Sequence, residues 1–392
     1  MTSFTTALSE KNAALDAPSR AGIVAIQSVS RNRIGIYDSR SMQVNLHEPW
    51  KIGPVQIPSR LVLAPMAGVS VQAFRRQGRR FGAGLVCSEM VSCGGLHHGN
   101  ERTLGYLRIA SDERPLAVQI FGSDAPVMAE AARMVEDAGA DIVDINFGCP
   151  VKKVTKTGAG ATLLDDGDRA SRIVEAVSSA VDVPVSVKMR RGLENGSRQC
   201  LELGPRLVDA GAASLTLHPR SAKQMYTGQA DHSLTAELVS LVDVPVVASG
   251  DIDSRARAQA VLATTGAAAV MVGRAAQGNP WALREILDGD AAEPSREEVV
   301  AELILFMRET VRELGDRATP FLKKFYGWYL GRGRFPRAFK AELTQLPTIA
   351  DVEARLFEAA PGARFVLARL EEELPQGDEV LLDLPISIYG GG

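Results

Sequence analysis

Eight short apolar segments, separated by alanine-rich stretches of helical periodicity, constrain the fold of this 392-residue chain more than any other feature. They recur roughly every 25 to 40 residues, which is typical of strands that alternate with helices. The segments are Leu61 to Ala64, Leu85 to Ser88, Ala117 to Ile120, Ile142 to Ile145, Val185 to Lys188, Ser214 to Leu217, Val246 to Ala248 and Ala269 to Val272. The pattern predicts eight βα units around a parallel sheet.

The residues before these segments mark the passage from helix to strand. Glycine precedes the even-numbered segments, at Gly82, Gly139, Gly211 and Gly266. Proline precedes several odd-numbered segments, at Pro115, Pro184 and Pro245. Glycine ends a helix in a left-handed cap, and proline stops helical backbone. We predict an α/β fold, a (β/α)8 TIM barrel. An open doubly wound sheet is the alternative that the same rhythm permits.

Four regions are expected along the chain. Residues 1–47 are polar and aperiodic, which predicts a flexible extension, with a short strand pair around residues 43–57. Residues 48–290 would form the barrel. Residues 291–373 are expected to form a smaller helical domain, with helices over Arg296 to Leu314 and Pro320 to Leu330. Residues 374–392 are expected to form a loose tail.

Composition excludes several classes of protein. Forty-four Lys and Arg stand against 47 Asp and Glu, a net charge of -3, so any nucleic-acid surface must be a local patch. The four cysteines form no C-x-x-C pair and are too few for a disulfide scaffold, which favours a reducing compartment. No apolar run approaches the roughly 20 residues that span a bilayer. We expect a cytoplasmic monomer without a metal ion, a membrane partner or a DNA partner.

Distinctive residues follow every predicted strand. In a TIM barrel the reacting groups come from the carboxyl ends of the strands. These ends carry, in order, Pro65-Met66-Ala67-Gly68, Glu89-Met90, Gln119, Asn146 to Pro150, Lys188-Met189-Arg190, His218-Pro219-Arg220, Ser249-Gly250-Asp251 and Gly273-Arg274. We expect the site there.

The last two strand ends favour a phosphate-bearing cofactor. Backbone N–H groups after strands seven and eight commonly bind a phosphate in this fold, and Arg274 adds a positive charge. Lys188 suits the N1 and O2 side of a flavin mononucleotide (FMN), and Gln119 its pyrimidine edge. Lys188 could instead belong to a buried ion pair, and His218 could be a core imidazole.

Cys149 differs from the other cysteines because it follows a strand end within Gly-Cys-Pro and precedes Lys152, Lys153 and Lys156. Most thiols are protonated at neutral pH, so this one could donate a proton as well as act as a nucleophile. Cys87, Cys93 and Cys200 lack such a context.

Together these motifs resemble one family. Pro65 to Gly68, Ser88-Glu89-Met90, Asp144 to Pro150, Val187 to Arg190, His218-Pro219-Arg220, Gly250-Asp251-Ile252 and Val272 to Trp281 are similar to the flavin-dependent tRNA-dihydrouridine synthases, and most similar to the bacterial B-type. The resemblance spans roughly residues 50 to 345. Its Asn-x-Gly-Cys-Pro element is specific to that family.

The resemblance implies that a uridine of tRNA is reduced at its C5–C6 bond. Hydride would come from FMN that NADPH or NADH re-reduces, and the proton from Cys149. It implies FMN contacts from Pro65, Met66, Ala67, Gln119, Lys188, His218, Ser249, Gly250, Asp251, Gly273 and Arg274. Asn146 and Arg220 would face the flipped uracil. Ser249 departs from the family, which usually has Asn there, and His232 from a position that is commonly aromatic.

Residues 321–340 carry six basic residues and no acid, interleaved with aromatic ones. Such a segment can neutralise RNA phosphates. The expected tRNA contacts are Lys152 and Lys153 beside Cys149 and Lys323, Lys324, Arg332, Arg334 and Arg337 here, to which Lys156 and Lys340 add positive charge. The aromatic residues could equally pack a helical core.

Two other functions stay open. A flavin barrel could reduce a free pyrimidine or enone, as dihydroorotate dehydrogenase does, but such a substrate has no use for a basic surface. An RNA-binding protein with decayed catalysis is the other alternative, against which Cys149 and Lys188 argue.

Overall fold

The computed structural model describes residues 44–289 and 292–374. The predicted extension up to residue 43 and the predicted tail beyond residue 374 lie outside the described residues. Leu46, which the sequence assigned to the extension, is fully buried, and its carbonyl accepts a hydrogen bond from the Arg60 N–H at 2.8 Å. The packed chain therefore already includes residue 46.

Eight parallel strands close into a barrel. The strands of the described residues are β1 Trp50–Ile52, β2 Val55–Ile57, β3 Leu61–Leu63, β4 Leu85–Cys87, β5 Val91–Ser92, β6 Leu116–Phe121, β7 Ile142–Phe147, β8 Val185–Arg190, β9 Ser214–His218, β10 Val246–Ser249 and β11 Ala269–Val272. From β6 to β11 each strand pairs with the next, β11 pairs with β3, β3 with β4, and β4 with β6. This closure confirms the TIM barrel and excludes the open sheet. All eight predicted segments are strands.

Strict alternation along the strands separates the inside of the barrel from the outside. On β8, Val185, Val187 and Met189 join the apolar shell under the helices. Ser186, Lys188 and Arg190 occupy the opposite phase, because successive strand side chains point to opposite faces. The pairs Gln119–Asp144, Asn146–Lys188 and Arg190–His218 are in register on neighbouring strands. Polar residues near the strand ends therefore converge inside the barrel.

The β1–β2 hairpin confirms the predicted strand pair and covers the amino-terminal end of the barrel. Its Trp50 and Ile57 share an apolar cluster with inward-facing residues such as Leu85 and Ala269. The Trp50 indole N–H donates to the Ser59 carbonyl at 2.9 Å. This packing leaves the carboxyl ends of the strands as the open end.

Helices surround the barrel and continue beyond it. They are α1 Gln72–Arg80, α2 Cys93–His97, α3 Glu101–Leu104, α4 Ala125–Asp137, α5 Lys152–Thr155, α6 Gly167–Ser178, α7 Gln199–Asp209, α8 Ser233–Leu241, α9 Arg255–Thr265, α10 Trp281–Asp288, α11 Arg296–Leu314, α12 Ala318–Arg332, α13 Arg337–Leu343, α14 Ile349–Ala359 and α15 Ala363–Glu373. Gly266 ends α9 in the left-handed conformation at φ +70°, as its position before β11 predicts. None of the helices in residues 44–289 and 292–374 combines the length and apolar character needed to cross a membrane.

From α11 onward the described residues form helices only, and α11 has its predicted bounds. A buried polar network joins this region to the barrel. Gln77 of α1 donates to Glu302 at 2.9 Å, Arg80 pairs with Glu302 at 2.7 Å, and the Tyr329 hydroxyl donates to Gln77. Phe306 packs beside Phe325, with ring centroids 4.7 Å apart. The helical region is thereby fixed against α1.

Candidate active site

A cavity of about 710 Å³ opens at the carboxyl ends of the strands, where the sequence places the site. Thirteen of the predicted site residues line it: Pro65, Met66, Ala67, Gln119, Asn146, Cys149, Lys188, His218, Ser249, Gly250, Asp251, Gly273 and Arg274. With Met90, which follows β4, residues from all eight barrel strands or from the loops after them meet in one cavity large enough for a cofactor and a small substrate group.

A directional chain of hydrogen bonds crosses the floor of this cavity. Asp144 accepts from the Ser186 hydroxyl at 2.6 Å and from the Gln119 amide at 2.5 Å. The Gln119 carbonyl accepts from the Asn146 amide at 2.7 Å. Burial raises the pKa of Asp144 to about 6, although these donors and the charge of Lys188 oppose that rise. The chain fixes the orientation of both side-chain amides.

The far end of this chain holds the backbone at Cys149. The Asn146 side-chain oxygen accepts from the N–H groups of Gly148 at 3.1 Å and Cys149 at 2.9 Å. The Ala161 N–H donates to the Cys149 carbonyl at 3.0 Å. A Cβ on Gly160, whose φ is +65°, would lie 2.7 Å from that carbonyl oxygen, so the close approach requires glycine.

Cys149 alone among the four cysteines lines the cavity and is not fully buried. Burial raises the pKa of Cys93 and of Cys200 to about 12, and that of Cys87 well above its ordinary value. These three remain protonated in the core, as their sequence context indicates. Cys149 is therefore the thiol available for chemistry.

Lys188 places a positive charge in the cavity wall. No hydrogen bond or ion pair of its ammonium group occurs within residues 44–289 and 292–374, so the buried ion pair considered above is not formed there. Burial and, to a smaller extent, the charge of Arg190 lower its pKa to about 8 against the opposing effect of Asp144. A half-buried ammonium that faces a cavity without a partner indicates a site for an electron-rich group.

His218 is neutral. Burial and the charges of Lys188, Arg190, Arg220 and Arg274 lower its pKa to about 2. Its Nε2 lies 3.4 Å from the Arg220 guanidinium, which suits an acceptor nitrogen. A neutral imidazole can hold a cofactor or substrate by a hydrogen bond, but it brings no proton to the reaction at neutral pH.

Arg220 is the one predicted barrel residue, apart from the lysines of α5, that does not line the cavity. It is 2% exposed, and its guanidinium donates to Asp251 at 2.8 Å and to the carbonyls of Thr227 and Gly228. Asp251 also accepts from the Ala230 N–H at 2.8 Å. The structure thus uses Arg220 to tie the loop after β9 to the end of β10.

Backbone donors at the ends of β10 and β11 form a candidate phosphate site. The N–H groups of Gly250, Gly273 and Arg274 make no hydrogen bond to any of the described residues. The Gly250 carbonyl accepts a hydrogen bond from His232 Nε2 at 3.0 Å, so His232 supports this turn. Unpaired N–H groups beside the Arg274 side chain suit a phosphate.

Arg190 and Tyr226 also line the cavity, although sequence reasoning gave no role to Arg190, which it placed at a strand end, and did not single out Tyr226. Arg190 donates to the carbonyls of Gly148 at 3.0 Å and Met225 at 2.9 Å, and so joins the loops after β7 and β9. Its position two residues after Lys188, in the same strand phase, was the available signal. Tyr226, which lies under the Arg274 guanidinium at 5.0 Å, is in an irregular loop and gave no signal.

The basic residues predicted to contact RNA fall into two groups. Lys152 and Lys153 on α5 and Lys323, Arg334 and Arg337 in the helical region are exposed. Arg332 is half-buried and pairs with Glu285 and with Glu293, whereas Lys324 is exposed but donates to the Gly68 carbonyl. Phe325, Tyr326, Tyr329, Phe335 and Phe339 are buried. Most of the aromatic residues therefore pack the helical core.

Comparison with known proteins gives a consistent picture. The family model described as "Dihydrouridine synthase (Dus)" matches residues 62–362. The chain is 41% identical to "tRNA-dihydrouridine synthase B" of Pseudomonas aeruginosa, over 76% of this chain and 91% of that one. It is 40% identical to the protein of the same name in Shewanella oneidensis, over 77% and 95%. Among solved structures, histamine dehydrogenase from Rhizobium sp. 4-9 is similar at a TM-score of 0.52 and 13% identity, over 67% of this chain and 50% of that one, a likeness of fold alone.

Proposed function

The chain belongs to the dihydrouridine synthase family and is an oxidoreductase, and from this premise we propose that it reduces the C5–C6 double bond of a specific uridine in tRNA. The observation that carries the proposal is the position of Cys149. Its half-buried side chain lies on the same cavity as Lys188 and the unpaired N–H groups of Gly250 and Gly273. One cavity thus offers both a proton donor and a site for a phosphate-bearing cofactor.

FMN fits the residues present. The N–H groups of Gly250, Gly273 and Arg274 would hold its phosphate, and Lys188 would face the N1 and O2 side of its ring. Gln119 retains one amide hydrogen and one lone pair beyond its bonds to Asp144 and Asn146, which it can offer to the pyrimidine edge. Reduced FMN, reloaded by NADPH or NADH, would supply hydride to C6 of the uracil.

The side chains of this protein would then hold the base and complete the reduction. Cys149 donates its thiol proton to C5, so that C5 and C6 each gain one hydrogen and the thiolate is reprotonated from solvent. Asn146 keeps the Cys149 backbone in place through its two accepted hydrogen bonds. Lys188 stabilises negative charge on the ring side of the cavity. Neutral His218 contributes a hydrogen bond and no charge.

A flipped base at the cavity brings the neighbouring phosphates to its rim. Lys152 and Lys153 are exposed on the loop that follows Cys149, where they can neutralise those phosphates. Lys323, Arg334 and Arg337 extend the positive surface onto the helical region. Reduction of a small neutral pyrimidine would make no use of these charges, which favours tRNA as the substrate.

The test is reduction of a tRNA transcript that carries no modification. The FMN-loaded protein is incubated with NADPH and the transcript, and fragments are examined by mass spectrometry for a gain of two hydrogens at one uridine. Reduction of a free pyrimidine or enone without reduction of tRNA would favour the small-substrate function instead. A colourless protein that cannot be reconstituted with FMN would favour an RNA-binding protein without catalysis.

A further inference from the structure

The peptide unit of Gly68 is held from both sides by groups that are distant in sequence. Its N–H donates to the carboxylate of Glu89, in the segment between β4 and β5, and its carbonyl accepts from the ammonium group of Lys324 on α12. Gly68 ends the Pro65–Met66–Ala67 turn, which lines the cavity. We propose that Lys324 is a positioning residue for the cofactor, which it serves by fixing this turn together with Glu89.

The other contacts of the turn are almost all internal. The Met66 N–H donates to the Ser70 hydroxyl at 3.0 Å, the Ser70 hydroxyl donates to the Ala64 carbonyl at 2.9 Å, and the Met66 carbonyl accepts from Val69 and Ser70. These bonds set the shape of the turn but do not anchor it to the rest of the protein. Glu89 and Lys324 anchor the turn at Gly68, and Gln277 contacts the Met66 sulfur at 3.3 Å.

The backbone at Gly68 depends on this arrangement. Its φ is +71°, and a Cβ there would lie 3.3 Å from the Lys324 ammonium nitrogen. The carbonyl is thus presented at close range to the lysine, in a conformation that glycine adopts without strain. Removal of either anchor would free a glycine-containing turn to sample other conformations, and the turn would then fit the cofactor less often.

Lys324 and its neighbour Lys323 have different environments although both belong to the basic segment. Lys324 lies over the rings of Phe321 at 4.2 Å and Phe325 at 5.2 Å, and burial lowers its pKa despite the opposing charge of Glu89. Lys323 is exposed and makes no side-chain hydrogen bond or ion pair with any residue the structure describes. Both lysines are exposed, so what distinguishes Lys324 is its ammonium group, which lies over these two rings and donates to the Gly68 carbonyl.

The inference rests on the proposed function only in requiring that FMN occupies the cavity. It assigns the helical region a second task beside RNA contact, because α12 reaches the cofactor turn through one side chain. Lys324 sits too far along the chain from Gly68 for sequence alone to suggest the contact. Replacement of Lys324 should therefore change FMN binding even when no tRNA is present.

The experiment compares Lys324→Met, Lys324→Arg and the matched control Lys323→Met with the wild type. FMN dissociation is followed by the return of flavin fluorescence, with no RNA present, and tRNA affinity is measured separately. Loss of one partly exposed charged hydrogen bond should speed FMN dissociation from Lys324→Met by roughly fivefold, with a shifted flavin absorption band. Lys324→Arg should restore most of the wild-type rate. Lys323→Met should weaken tRNA binding and leave FMN dissociation unchanged.

The outcomes separate this inference from the proposed function. If the wild type binds FMN and Lys324→Met releases it at the wild-type rate, the inference is overturned and the proposed function stands. If Lys323→Met speeds FMN release as much as Lys324→Met, a general effect of charge replaces the specific contact. A wild-type protein that binds no FMN would overturn the proposed function as well.

Discussion

Replacing Lys188 by methionine should stabilise the cofactor-free protein, because it removes a charge that the folded state holds at a cost. Burial moves the pKa of Lys188 from its ordinary value of 10.5 to about 8. At about 1.4 kcal/mol for each pH unit, the ammonium form is penalised by about 3 kcal/mol in the folded protein. Asp144 loses the compensating charge of Lys188 in the variant, so the net gain should be about 1 to 3 kcal/mol.

The pH dependence identifies the cause of the gain. Between pH 8 and 10.5 the unfolded chain binds a proton at Lys188 that the folded protein does not, so wild-type stability rises with pH across this window. Below pH 8 the full penalty is present. The advantage of Lys188→Met should therefore be greatest at pH 7 and should shrink as the pH approaches 10.

The assay is urea denaturation of the FMN-free wild type and Lys188→Met at pH 7 and at pH 9.5. Lys152→Met, which removes an exposed lysine near the same cavity, is the control and should show no comparable gain. The variant should also bind FMN more weakly. A variant no more stable than the wild type at pH 7, or a gain that is equal at both pH values, would refute the reasoning.

Three further substitutions test the supports of the site. Asn146→Ala removes the acceptor of two backbone N–H groups. The free energy of unfolding should fall by about 2 kcal/mol, and alkylation of Cys149 should become faster. Unchanged denaturation and alkylation would contradict this role. Gly160→Ala should lower the free energy of unfolding by about 2 kcal/mol, more than Gly158→Ala does. Both glycines have positive φ, but of the two only at Gly160 would a Cβ collide with backbone. Equal losses would mean that backbone strain alone acts. Arg334→Gln should lower the slope of log affinity for tRNA against log salt concentration by about 1. Arg332→Gln, which loses the pairs with Glu285 and Glu293, should leave this slope unchanged. Equal slopes in the two variants would contradict the division of the basic residues.

Local sequence signals were sufficient to predict the barrel and thirteen of the residues that line its cavity. All eight apolar segments were predictable from their regular spacing, and a glycine or proline marks the start of seven of them. A polar residue near the end of a strand has only the cavity to face when its phase is inward, which is why Gln119, Asn146 and Lys188 converge there. The strand pair within residues 43–57 was also expected and is formed by Trp50–Ile52 and Val55–Ile57.

Contacts between distant segments were not predictable. Arg220 follows a strand end as the lining residues do, but its guanidinium pairs with the carboxylate of Asp251 and does not line the cavity. Arg332 resembles Arg334 in sequence, and only packing against α10 supplies its partner Glu285. Lys324 reaches a carbonyl on the first strand-end turn of the barrel. Such pairings depend on where the helical region docks, which no local pattern specifies.

A single-turnover experiment with Cys149→Ala tests the role of Cys149 as proton donor most directly. The variant is loaded with FMN, reduced without oxygen and mixed with the tRNA transcript, and dihydrouridine is counted against time. Loss of a positioned proton donor should slow its formation by a factor of about 100 or more, while FMN content and tRNA affinity stay at the wild-type level. Dihydrouridine formed at the wild-type rate would contradict the assignment of Cys149 as the acid.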